Sequence, residues 1–135
     1  MSWRQSLVRI ADHEVEILRK RLAEILDRRH QLEMKLVVLA AHIEAELAHA
    51  QHNPEAGWLK AGFLHGVRVR RAEIQAQIDA TVPEETGARD ALAQAFETLK
   101  KFEHVAESAR LAEVKAAARV ETAAMDEMGL RKKVS

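Results

Sequence analysis

The side chains in this chain that could do chemistry near neutral pH are histidines and carboxylates. Its 135 residues include seven His and 21 Asp or Glu, and no Cys. Glu46 and His49 spell E-x-x-H. That spacing sets a carboxylate and an imidazole on one helix face, as in di-iron helix bundles. Such a site needs a second E-x-x-H and two further carboxylates on facing helices, and the chain has no second copy. His42 and His49 stand two turns apart and His52 one turn beyond, so a surface metal site is conceivable. Asp12-His13-Glu14 lacks the paired histidines of a zinc-protease helix. There is no phosphate loop and no nucleophile elbow. Without cysteine there is neither a disulfide framework nor thiol chemistry. These residues predict a protein that is not an enzyme, with no catalytic residues, no cofactor and no bound metal.

The elements that carry these residues are helices. Charged residues make up 31% of the chain and aromatics 4%, with five Gly and two Pro. Such a mix, when periodic, belongs to long helices or coiled coils. So few large aromatics would not fill a thick core, whereas a seam between two helices needs only Leu, Ile, Val and Ala. Positions 8, 11, 15, 18, 22, 25, 29, 32, 36, 39 and 43 alternate in steps of 3 and 4, and all but Arg29 are apolar. That is a heptad seam. No Pro or Gly interrupts the first 52 residues, so residues 4–51 form a first arm of roughly 70 Å. Arg29 either fixes register within the seam or lays its stem across it with the head in water.

The stretch HNPEAGW at residues 52–58 is the strongest break. Pro54 ends helical bonding and restrains Asn53, and Gly57 adds freedom. Asn53 can cap a new helix with Pro54 and Glu55 in its first turn. Trp58, Phe63, Leu64, Val67, Ile74 and Ile78 follow at helical spacing. At ATVPEETG, Thr81 and Glu84 have capping-box spacing around Pro83. This segment either starts a separate helix or kinks one long arm. The kink is favoured, because periodicity resumes at Leu92, Ala95, Phe96, Leu99, Phe102 and Ala106. A helical second arm then spans about 58–128, with Gly129 as its stop and a basic tail at 129–135.

A short connection between two long helices makes them antiparallel. The expected fold is therefore all-α: a long antiparallel two-helix coiled coil in one domain, the second arm longer and kinked at Pro83. With the turn centred near residue 55, Arg29 falls opposite residues 79–83, close to Glu84 and Glu85. The first arm runs out near residue 110 of the second. Beyond it, Leu111, Val114, Ala118, Met125 and Met128 form an apolar stripe without an intramolecular partner, suited to helix-in-groove binding. A frayed or self-associating end is the plain alternative.

Lys and Arg total 21, so net charge is zero. That argues against nucleic-acid binding, which needs a strong basic field. The basic clusters at residues 19–21 and 28–29 sit among acids and read as solvated helix faces. The longest apolar run, residues 36–41, cannot span a bilayer, and the N-terminus lacks a signal-peptide core. A cytoplasmic location follows.

Three stretches carry a family resemblance. WRQSLVRIADHEVEIL, with Ala11, Glu14, Val15 and Glu16, resembles the opening of the FliJ family of flagellar type III export proteins, to which the injectisome YscO proteins are related. LAQAFETLKKFEHVAES resembles the middle of that family's second helix. ETAAMDEMGLRKK, with Met125, Asp126 and Glu127 before a basic end, resembles its tail. The resemblance spans nearly the whole chain. It implies an antiparallel two-helix stalk, similar to the central stalk of rotary ATPases. Such a stalk inserts into the export ATPase ring, contacts the cytoplasmic domain of the export gate and handles export chaperones. The location implied is peripheral at the inner-membrane export apparatus, through protein partners only.

On this resemblance, gate contact falls near the hairpin at Leu39, His42, Glu46, Phe63 and Val67. His42 and Glu46 stand where the family has aromatics, and Leu39 also lies on the seam. The hairpin is shorter than in some relatives, and Pro83 is a further departure. ATPase contact falls on the C-terminal overhang at Leu111, Val114, Met125, Asp126, Glu127 and Met128. A homo-oligomeric coiled-coil scaffold is the alternative from a different class, and a helical metal-binding protein a third.

Overall fold

A computed structural model describes residues 2–53 and 57–134. It contains two helices, α1 (Trp3–His52) and α2 (Gly57–Val134). The fold is an all-α, two-helix antiparallel hairpin whose second helix is the longer.

The start of α1 is built by a capping box. Gln5 N donates to Ser2 Oγ at 3.2 Å, and Ser2 N donates back to Gln5 Oε1 at 3.1 Å. Two amides that lack helical partners are thereby satisfied. At the far end, Asn53 N donates to the Ala50 carbonyl at 3.3 Å. The roles expected of Pro54 and Glu55 lie outside the described residues, as does the side chain of Trp58.

Contacts divide the chain into two units: Ile17–Leu92, and Met1–Glu16 with Ala93–Ser135. In the first, the two arms run antiparallel. Arg28 pairs with Glu84, Arg29 with Glu85, and the His42 ring meets Phe63. Its core is a thin seam of Ile25, Leu32, Val67, Ile74 and Ala88, with one polar member, Thr81. In the second unit, Ala11, Val15 and Leu99 are buried, and Arg4 Nη1 lies 3.2 Å from Glu113 Oε1. Each of the eleven α1 positions read as the seam is buried or half-buried. The same holds for Phe63, Leu64, Val67, Ile74, Ile78 and the periodic positions from Leu92 to Ala106.

Pro83 lies inside an unbroken helix, as the favoured reading of one long second arm expected. Two other features of α2 depart from their local sequence signals. Thr81 does not cap. Its side chain is 2% exposed and its hydroxyl donates to the Ile78 carbonyl at 2.6 Å. The seam captures Thr81 because it falls on the buried row of Val67, Ile74 and Ala88, seven residues apart. A buried hydroxyl must find a partner, and the carbonyl one turn back is within reach. The end of α2 is the second correction. Gly129 does not stop the helix, and the expected tail continues helical to Val134. A glycine stop requires left-handed backbone, and no described residue has positive φ.

Candidate protein-binding surfaces

Among the described residues no cluster of three His, Cys, Asp or Glu is placed to hold a metal. Glu46, His42 and His49 lie exposed on α1. No described helix is long and apolar enough to cross a membrane. What the arrangement offers is exposed apolar surface, in two places.

The first lies toward the hairpin end. His42 is exposed and packs edge-on against the half-buried Phe63, with ring centroids 5.7 Å apart at 68°. Leu39 is half-buried on the seam. These side chains border shallow grooves. One is lined by Met34, Val38, Leu39 and His42 of α1 with Arg70 and Ile74 of α2. Another runs from Glu46 and His49 to Leu59 and Phe63. Val67, expected as an exposed contact, is 8% exposed and belongs to the seam. Sequence reasoning missed the neighbours Met34, Val37 and Val38, which are large, apolar and exposed. With Ala41, Ala45 and Ala48 they form a second apolar stripe on α1. Its 3–4 spacing was legible but was overshadowed by the stronger seam on the opposite side of the helix.

Below this region lies the ionic layer anticipated at Arg29. Arg29 Nη1 stands 2.6 Å from Glu85 Oε1, and Arg89 Nε donates to Glu85 Oε2 at 3.2 Å. Glu85 is half-buried. Its carboxyl is held below the ordinary value of 4.5, first by the Arg89 hydrogen bond and further by the Arg29 charge, against the opposing pull of burial. The pairing falls a few residues beyond the expected 79–83. Arg29 therefore does not simply send its head to water. It closes an ion pair between the two helices.

The second surface is the end of α2. Every described residue from 111 to 133 is exposed, yet the segment is helical throughout. Leu111, Val114, Met125 and Met128 are exposed large apolar residues, and Asp126 and Glu127 lie beside them. Glu127 accepts a hydrogen bond from Arg131 at 3.2 Å, one turn along the same helix. Val120 and Leu130 are equally exposed and were not anticipated.

Comparison with known proteins bears on the family of the chain. No family model matches the chain, and no solved structure matches it. Two curated proteins do, both described as "Flagellar FliJ protein" and both from Caulobacter vibrioides, strains NA1000 / CB15N and ATCC 19089 / CIP 103742 / CB 15. Each is 49% identical over 130 residues, covering 96% of this chain and 94% of the relative. Identity of that extent over nearly the whole length, on a two-helix hairpin, means that the chain belongs to the FliJ family of flagellar proteins.

Proposed function

We propose that this chain is a non-enzymatic component of flagellar type III protein export. It acts as a stalk-like coiled coil that binds the export ATPase ring through the end of α2. Near the hairpin it contacts the cytoplasmic domain of the export gate through Leu39, His42 and Phe63, and it assists delivery of substrates and their chaperones. On this reading it works in the cytoplasm, held at the inner-membrane export apparatus by protein partners alone.

The supporting observation is the solvent-exposed helix of residues 111–133 with its large apolar side chains. A soluble chain that leaves such a row uncovered normally covers it with a partner. A helix presenting apolar anchors at this spacing is suited to a hydrophobic groove.

The test is to mix the purified chain with the export ATPase of the same organism and to follow assembly by analytical ultracentrifugation. The chain is used with and without residues 111–135. The full chain is expected to bind and promote ring assembly, and the truncated chain to do neither. Failure of both to bind, with the chain oligomerising through its own tail, would replace the stalk reading with a homo-oligomeric scaffold.

A further inference from the structure

We propose that residues 111–133 engage the export ATPase through the helix face turned away from the coiled-coil seam, and that this face seats in an apolar groove bordered by carboxylates. The proposal rests on the ATPase-binding reading above and adds the face and the chemistry of the acceptor.

In the second unit, two rows of α2 face α1. Ala95, Phe102 and Ala109 form one, and Leu99, Ala106 and Glu113 the other. The first five are buried or half-buried, and Glu113 reaches Arg4. Extended at the same seven-residue period, these rows pass through Ala116, Val120, Ala123, Glu127 and Leu130. If the end of α2 simply awaited a helix to continue the seam, its large apolar residues would lie there. Most do not. Leu111, Val114, Ala118, Met125 and Met128 keep the 3–4 spacing but occupy two other rows, about 150° around the helix. The far face thus holds four large apolar side chains, and the seam rows two. Two of the four are methionines, whose unbranched side chains adapt to irregular grooves.

Charge separates the faces further. The rows bordering the far-face stripe carry Arg110, Lys115 and Arg131, and no acid. Arg110 and Arg131 are ion-paired with Glu107 and Glu127 at 2.8 and 3.2 Å along the helix, so Lys115 gives the borders their net positive charge. The seam rows carry the acids Glu113 and Glu127 instead, and a single acid, Glu121, interrupts the stripe. An apolar row between basic borders complements a groove with acidic rims. A second copy of this chain would set basic borders against basic borders, so it is the poorer occupant.

Two double variants of the full chain test this. Val114→Glu with Met125→Glu alters the far face, and Val120→Glu with Leu130→Glu alters the seam rows. The four residues are 54%, 66%, 70% and 64% exposed, so the pairs load the fold alike, and circular dichroism checks that helicity is kept. Affinity for the export ATPase is the readout. The far-face pair should weaken binding by about tenfold or more, as loss of apolar anchors does, and the seam-row pair by less than about twofold. Lys115→Glu should weaken binding and flatten its salt dependence. Greater loss in the seam-row pair, equal loss in both, or no loss in either overturns the face assignment while ATPase binding stands. If the unaltered chain does not bind, both readings fail together.

Discussion

The two stretches of α2 on either side of residue 110 have similar helical sequences and opposite fates. From Phe63 to Ala109 the periodic apolar positions are covered by α1. From residue 111 to 133 none is covered, although the helix continues. The first stretch is helical because packing stabilises it. It tolerates Pro83, a buried threonine and Gly87 in its interior. The second has no such support. It carries six alanines in 23 residues, with lysine, arginine and glutamate at frequent intervals, residues with high helix propensity, and a single glycine, Gly129, near its end. A helix that must stand without packing is written in propensity, and one that is packed can afford poor formers.

That contrast can be tested by substitution, beginning with the largest effect. Ile74→Ala in the seam should lower unfolding free energy by about 2–3 kcal/mol, as cavity-forming changes do. The corresponding Met125→Ala should change it by less than about 0.5 kcal/mol, as surface changes do. Urea titration followed by circular dichroism reads both. Pro83→Ala restores the amide that the Asp79 carbonyl lacks as acceptor and should raise stability by about 1–3 kcal/mol. A decrease would mean that Pro83 contributes packing that outweighs its lost hydrogen bond. Gly87→Ala should add about 0.5–1 kcal/mol, because a Cβ there meets nothing within 4 Å. The unchanged thermal midpoint of such a variant would show that propensity does not limit the packed stretch.

The smallest effect is confined to acid. Glu85 has a native pKa below 4.5. Its pairing with Arg29 and Arg89 therefore adds stability that is present above 4.5 and is lost as pH falls through the lower native value. Glu85→Gln should flatten the fall of the melting temperature below pH 4.5. Glu107, also lowered, by its hydrogen bond from Arg110, is paired along its own helix, so Glu107→Gln should alter that slope less. Equal slopes in the two variants would deny the inter-helix layer any special part.

Much of the fold was legible because the seam repeats without interruption. Val8 to Ile43 returns every 3 or 4 residues, and one face of a helix is the only arrangement that gathers such a set. Arg29 and the glutamates after Pro83 met because a short turn leaves little freedom in register. The capping box at residues 2–5 is likewise spelled out locally, by Ser2 and Gln5 three residues apart. Other features resisted for physical reasons. Thr81 and Pro83 look locally like a helix start, and only the resumption of the seam on both sides overrides that preference. Gly129 looks like a stop, but no left-handed turn forms there. Val67 looks like a free contact when α2 is considered alone, and becomes core once α1 lies on it. Of the candidate surface residues, those on the C-terminal stripe lie exposed as anticipated, and Met34, Val37 and Val38 were passed over.

By itself the sequence determined that the chain is helical, where it turns back, which rows of side chains meet, and that an apolar stripe remains once the first arm ends. All of these follow from short-range periodicity and from the bonding limits of proline. Tertiary structure alone decided which polar groups the seam would take in, that the helix would carry on through Gly129, and which face of residues 111–133 lies opposite the seam. Those outcomes depend on where α1 lies against α2, and contacts between residues far apart in the chain outweigh local preferences of a kcal/mol or so.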